Sequence, residues 1–503
     1  MSNISTKTFA LAAAAAFATA TPLALAPDLA PVAAAQNNQA VDVNRTGTLT
    51  INKQEGDPGA ATGTVEGTEF TVERVQMTNG LNTAAGWTEA GEIVNAGADA
   101  ATIDTTFTTP PQTTNSDGVA VFTDLPVGIY KVTEKTNGNY TVAAPFLVTL
   151  PLTQQDGSLT YTPTVSPKNQ KLDPTKAADD ANANIGDQIT YTIKAPVPAG
   201  DVLQDGSRTI SQFRITDDLQ QELTYVADSA EVTLTGADDT TLDEGDYTIS
   251  NDGQNLTVEF TPAGLQRLET LRADNPGLTV QVVFKAEVNA IPANGKIDNT
   301  ANVYVPNRDE PIQSKPETEK DGDQDTNDTT TQYANVEVTK TLNGNPVEDG
   351  KTGDGAEFEI YPCAPEGEGY AVADGAEAIK GTATANSTEL ATTFTAQGGD
   401  VDSAKAAVAS GFGMQLNPTV QYCAVETKAP AGYLVNPDPQ LLTLTTEGTD
   451  TNRPVYTVAV NDVKDSIFGR LPATGERTML YILALGLVLF GGGAAYQLSR
   501  RNA

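Results

Sequence analysis

Histidine is absent from all 503 residues, and only two cysteines, Cys363 and Cys423, and a single tryptophan occur. Without an imidazole the chain lacks the usual general base and the commonest metal ligand. A Ser-His-Asp hydrolase, a Cys-His protease and a His-liganded zinc enzyme are thereby excluded. Two thiols are too few for a structural zinc site or an iron–sulfur cluster, so neither a metal nor a cofactor is expected. Positive charge is scarce as well: 30 basic side chains stand against 65 acidic ones, a net charge of -35. Nucleic acids are bound by basic surfaces, which excludes them as partners. What is plentiful is glycine (43) and proline (29), the residues of turns, as in all-β proteins. At about 100–200 residues per domain, the length allows roughly three or four domains.

The two ends give a cellular address. The chain opens MSNISTKTFALAAAAAFATATPLALAPDLAPVAAAQNN. Lys7 supplies a positive n-region, Phe9 to Ala20 is an apolar run too short to span a bilayer well, and Ala33-Ala34-Ala35 offers a small-residue cleavage site. Residues 1–35 are expected to be a signal peptide rather than an amphipathic helix, whose polar face would be mostly alanine. At the other end come Leu471, Pro472, Ala473, Thr474 and Gly475, then an apolar stretch from Met479 to Leu498, then Ser-Arg-Arg-Asn-Ala. About 20 apolar residues match the hydrocarbon core, with Arg500 and Arg501 on the cytoplasmic side. The order LPATG, spanning helix and basic tail over 471–503 resembles the sorting signal of Gram-positive sortase substrates. That resemblance implies cleavage between Thr474 and Gly475, a Thr474 thioester on the sortase, and transfer of the acyl group to an amine.

Between residues 36 and 470 the pattern is of short runs alternating at period two: TLTINK, EFTVERV, GVAVFTDL, QITYTIKAPV, LTVEF, LTVQVVFKAEV, ANVEVTKTL and YTVAVNDV. Rich in Val, Thr, Tyr and Ile and bounded by Gly, Asp, Asn and Pro, they predict antiparallel β-sandwiches. Gly264 to Ala273 and Val401 to Ser410 are expected to be helical. A Pro/Lys/Asp stretch at Ser166 to Ala181 and a polar linker at Asn307 to Thr331 divide the chain into modules at 36–169, 170–331 and 332–468. The linker's Asp321, Asp323, Asp325 and Asp328 could clasp calcium, but the EF-hand glycine and closing glutamate are missing, which favours a solvated acidic linker. The first and third modules share one plan. Each has a lysine-bearing strand (Lys53, Lys340), a G-x-EF element (Gly67 to Phe70, Gly355 to Phe358) and a Tyr-x-x-x-Glu element (Tyr130 to Glu134, Tyr422 to Glu426).

The run YCAVETKAPAGY, Tyr422 to Tyr433, resembles the E-box of Gram-positive pilins and of collagen-adhesin B-type repeats, approximately YxLxETxAPxGY, departing only at Ala424. The resemblance implies that Glu426 promotes an amide between Lys340 and a last-strand asparagine, Asn461 in YTVAVND. Elementary chemistry agrees. Burial favours a neutral amine and a protonated acid, the amine attacks the amide carbonyl, and the acid polarises that carbonyl and passes its proton to departing ammonia. The second module resembles A-type adhesin domains that make the same bond with an aspartate. The acid is then Asp217, the acyl donor Asn299, and the lysine Lys176, with Lys171 a rival. In the first module Lys53 and Glu134 hold the expected places and Asn169 is the candidate acceptor. Cys363 and Cys423, 60 positions apart in an exported chain, are expected to form a disulfide, the alternative being two separate buried thiols.

The segment Val165-Ser166-Pro167-Lys168 resembles the pilin motif of shaft subunits, approximately WxxxVxVYPK, with Leu159, Pro163 and Ser166 replacing its Trp, first Val and Tyr. It implies Lys168 as the amine that accepts the next subunit's Thr474. Taken together, the chain resembles the sortase-assembled shaft pilins of Gram-positive bacteria, SpaA-type and type-2 fimbrial subunits. The fold so implied is all-β: three tandem immunoglobulin-like β-sandwiches (B-type, A-type, B-type) and a C-terminal transmembrane helix. The implied partners are identical subunits in a covalent head-to-tail polymer, a sortase, peptidoglycan, and possible accessory pilins and a host surface, at the wall-anchored cell surface. The carboxylates act once, on their own chain, so this is not an enzyme. The alternative is a monomeric, minor or basal wall-anchored adhesin.

Overall fold

The computed structural model describes residues 40–465 apart from 155, 182, 204–206, 239, 318–328, 384–387 and 418–419. The expected signal peptide, the acidic run Asp321 to Asp328, the expected sorting signal with Leu471, Pro472, Thr474 and Gly475, and the apolar stretch after it lie outside the described residues. No helix among the described residues is long and apolar enough to cross a membrane.

Among the described residues the regular structure is nearly all β, and each of the eight alternating runs lies in a strand. Gly47–Asn52 buries Leu49 and Ile51 while its threonines face outward. Thr330–Leu342 alternates along its length, burying Val336, Val338, Lys340 and Leu342. Two compact units result: one holds the chain up to Asp179, Thr190–Ala286 and Asn299–Thr329, the other Asp180–Ile189, Glu287–Asp298 and the chain from Thr330 on.

The first unit contains two sandwiches. In the first, Gly47–Asn52 lies between Val119–Leu125, antiparallel, and Thr164–Val165, parallel. It packs on a sheet of Glu69–Arg74, Gly128–Glu134 and Phe146–Leu150 around Ile51, Phe70, Phe122, Tyr130 and Val148. In the second, Thr175–Asp179 pairs with Gln188–Pro196, and Arg214–Asp218 runs between Asn255–Phe260 and Ala301–Tyr304. Tyr191, Phe213, Val282 and Phe284 are sealed between these sheets. The two sandwiches meet through a bidentate contact: the Arg272 guanidinium donates to both Asp57 carboxylate oxygens at 2.9 Å and to the Val197 carbonyl at 2.8 Å.

In the second unit Thr330–Leu342 is central, antiparallel to Val408–Leu416 and parallel to Val455–Lys464. The facing sheet is built on Glu357–Glu366 and Gln421–Lys428, and Val338, Phe358, Phe412 and Val460 fill the core.

The helix expected at Gly264 to Ala273 forms as Pro262–Asp274, with Thr261 capping the Gly264 N–H and proline in its first turn. Residues 401–410 are not helical. Asp400 accepts the Asp402 N–H and closes a turn, and Val408 begins a strand, because pairing with the central strand offers that backbone more than a solvent-facing helix would. A helix at Ala84–Ala96, capped by Thr83, was not foreseen.

Candidate functional site: three buried lysines, each against a carboxylate

Each module seals one lysine in its core. Lys53, Lys176 and Lys340 are fully buried, in phase with the apolar residues of their strands. Lys53 continues the inward series Leu49, Ile51, and Lys340 the series Val336, Val338. A charged ammonium in such a place is costly unless it is paired or loses its proton.

In the first module Lys53 Nζ lies 2.7 Å from a Glu134 carboxylate oxygen, and the Asn169 amide donates to the other oxygen. Burial pushes Glu134 up and Lys53 down from their ordinary values, against the opposing pull of each on the other. A neutral amine beside a protonated acid carries the same protons as the ion pair and avoids two buried charges. The Asn169 carbonyl oxygen is buried without a hydrogen-bond partner. Half a turn of that amide would set its carbonyl on a protonated Glu134, the geometry for attack by the amine. The parallel pairing that brings them together places Asn169 opposite Glu55, two residues beyond Lys53.

In the second module Lys176 meets Asp217, and its Nζ also lies 4.6 Å from the centre of the Tyr191 ring and 5.5 Å from that of Phe284. Burial lowers the Lys176 amine to about 8 and raises Asp217. Asn299 is buried beside Asp217, where it opposes that rise, and both the nitrogen and the oxygen of its side-chain amide are without a hydrogen-bond partner. Lys171, the rival, is exposed and 3.9 Å from Asp173. It is not at the site.

In the third module Lys340 lies 2.8 Å from Glu426 and also pairs with Asp462. The Asn436 N–H holds the second Glu426 oxygen at 2.8 Å. Gly353, at φ +87°, packs on the lysine stem, where a Cβ would come 2.6 Å from Lys340 Cγ. Asn461 is not brought to this site. It is exposed, and its oxygen takes the Gly344 N–H at 2.5 Å and the Thr341 hydroxyl at 3.2 Å. Successive strand residues face opposite ways, so one position decides which is inside. Val460 and Asp462 point in; Asn461 points out. That phase is legible in the sequence, since Asp462 alternates with Val458 and Val460. Gly353 and Asn436 carried no signal that would have singled them out.

Cys363 and Cys423 form a disulfide between the two paired strands of the facing sheet. Closing a loop of 60 residues stabilises by about 4 kcal/mol in the chain-entropy picture. Replacing both cysteines with alanine is expected to lower the unfolding free energy of the third module by up to that amount, with no change in the first two, as read by denaturant melts of the oxidised and reduced chain.

Lys168 and Asn169 are neighbours on one short strand, paired with Gln54 and Glu55, and therefore face opposite ways. Asn169 points to the core. Lys168, half-buried, lines a groove of about 400 Å³ walled by Pro58, Pro145, Phe146, Pro167 and Val202.

Immunoglobulin-like sandwiches, each sealing a lysine–carboxylate pair in its core, are the architecture of a modular structural protein. Residues 32–170 match the family model of the Gram-positive pilin subunit D1, N-terminal domain, and residues 169–316 that of the Sgo0707 N2 domain. The chain is 31% identical to the fimbrial subunit type 2 of Actinomyces naeslundii, over 92% of this chain and 91% of that one. It is also 31% identical to the fimbrial subunit type 1 of Actinomyces viscosus, over 98% of each. The solved structure of the Corynebacterium diphtheriae major pilin SpaA is similar in fold, with a TM-score of 0.57 at 23% identity, covering 83% of this chain and all of that one. The chain belongs to the family of Gram-positive fimbrial subunits, the structural components of surface pili.

Proposed function

We propose that this fimbrial subunit forms the shaft of a wall-anchored pilus, polymerised by a sortase that joins the Thr474 carbonyl of one subunit to the Lys168 amine of the next. The observation that carries this reading is the placement of Lys168, outward on the last strand of the first module and at the edge of an apolar groove. An amine so held is open to an acyl-enzyme. Two folded modules separate Lys168 from Thr474 in sequence, so each junction leaves a free donor and a free acceptor, and the chain of junctions does not close. Within each subunit, Lys53 and Asn169, and Lys176 and Asn299, are joined by amides with Glu134 and Asp217 as the acids. In each, the lysine nitrogen bonds the asparagine side-chain carbon, the C–N bond of that amide breaks, and one ammonia leaves with the proton the acid delivers. The chemistry is a single event on the subunit's own chain. In support, the solved SpaA structure points to a modular pilus assembly with stabilizing isopeptide bonds.

Cell-wall extracts probed for this protein are expected to show an SDS-resistant ladder, lost when the sortase is absent. The ectodomain purified from the wild type should weigh less than its sequence by one ammonia for each Lys–Asn bond. A lone monomer band in the extracts would exclude the shaft reading and leave a monomeric adhesin. The full unmodified mass would exclude the amides.

A further inference from the structure

We propose that the third module closes on aspartate, not asparagine: Lys340 Nζ bonds Asp462 Cγ, and water leaves. This rests on the reading of the buried lysine–acid sites as amide-forming sites, and changes what the third one consumes.

Register carries the inference. In the first module the acceptor Asn169 lies opposite Glu55 on the parallel neighbour, two residues past Lys53. In the third, Asp462 lies opposite Leu342 on a parallel neighbour, two residues past Lys340. The duplicated plan therefore puts Asp462 where the first module has Asn169. Burial agrees: Asp462 is 1% exposed and touches Lys340, which touches Glu426 in turn. For Asn461 to take part, the strand would have to turn over, exposing Val460 and breaking the Gly344 and Thr341 contacts to the asparagine oxygen.

The balance is that of a condensation. The neutral Lys340 amine attacks Asp462 Cγ while Glu426, protonated, donates to the acid's carbonyl oxygen. The Asp462 C–O bond then breaks, and its hydroxyl takes the proton released by the amine and departs as water. No oxidant, reductant or activating group enters. Burial, and the Glu426 carboxyl beside it, push Asp462 up from its ordinary value, which favours the acid form with its hydroxyl leaving group. Amide formation from a free acid is poor in water because water competes and the encounter is rare. Here the reactants are held in contact and water is largely excluded, which supplies the effective concentration.

The test uses intact-mass and tandem mass spectrometry of the purified ectodomain with its three modules. Wild type should carry a Lys340–Asp462 linked peptide and have lost one water there. Asp462→Asn should link at the same position with loss of ammonia, and because the two products are the same molecule, the mature masses of wild type and variant should coincide. Asn461→Ala should keep the bond. Asp462→Ala should lose it, and Asp462→Asn covers the case in which that variant fails to fold. A linkage at Asn461, or a third module unlinked while the first two are linked, overturns the assignment to Asp462 alone. A chain with no amide in any module overturns it together with the reading on which it rests.

Discussion

Lys168→Ala is expected to remove every band of the ladder above the monomer while leaving the monomer folded and anchored. The strand holding Lys168 pairs through its backbone with Gln54, so loss of the side chain costs no ladder hydrogen bond. Asn169, one residue on, still points inward to Glu134. What disappears is the nucleophile, and with it the junction. The sharper variant is Lys168→Arg. It keeps the positive charge and most of the stem, but a guanidinium does not give up its proton in proteins and cannot attack the thioester. Both variants should give monomer of ordinary thermal stability in cell-wall extracts. Were Lys168→Arg to polymerise normally, Lys168 would not be the linking amine. Lys171 would be next in line, since it is exposed, whereas Lys176 is sealed in the core.

In the proposed polymer, position along the chain would decide which modules bear load. A junction at Lys168 would pass pull from the neighbouring subunit into the chain at that residue, and from there to Gln170 and the second module. The first sandwich, formed by residues before Lys168, would then carry little of it. An amide from Lys53 to Asn169 would therefore guard it against unfolding and proteolysis, not against tension. The second and third modules lie between Lys168 and Thr474 in sequence and would carry the load. There a bond from Lys176 to Asn299, and one from Lys340 to the last strand, would carry force past the sheets and leave them folded.

Much of this was legible in the sequence because the buried elements obey period two. The eight alternating runs are strands, and Lys53, Lys176, Glu134, Asp217, Asn169 and Asn299 all lie on inward faces, in phase with apolar neighbours. What failed did so for local reasons. Ala84–Ala96 has two glycines and little amphipathic contrast, so its helix depends on the Thr83 cap and on packing around Ala90. At 401–410, helix-favouring alanines yielded to pairing with a strand far away in sequence. At the third site residue type and strand phase point to different positions: Asn461 has the type, and Asp462 has the inward phase.

Asp217→Ala is expected to have the largest effect on stability. The two rings near Lys176 offer it about 2 kcal/mol each, well short of the cost of a bare buried ammonium. Removing one partner of a buried pair costs about 3–5 kcal/mol, and here the amide is lost as well. The ectodomain should keep the ammonia that the second module otherwise releases, and that module should melt separately and earlier. The pH dependence should also be distinctive. Burial already holds Lys176 down to about 8, and loss of the Asp217 charge, which opposes that shift, lowers it further. In the unfolded chain the amine titrates near 10.5, so from neutral pH up to that value the unfolded state binds more protons than the folded one. Stability of the unlinked module should therefore rise as pH goes from 7 to 10, whereas the wild-type amide does not titrate. Asp217→Asn separates chemistry from packing, since it keeps the shape but cannot deliver a proton. If that variant still forms the Lys176–Asn299 bond at the wild-type rate, by mass measured during refolding, Asp217 is a packing partner and the proton transfer assigned to it is wrong.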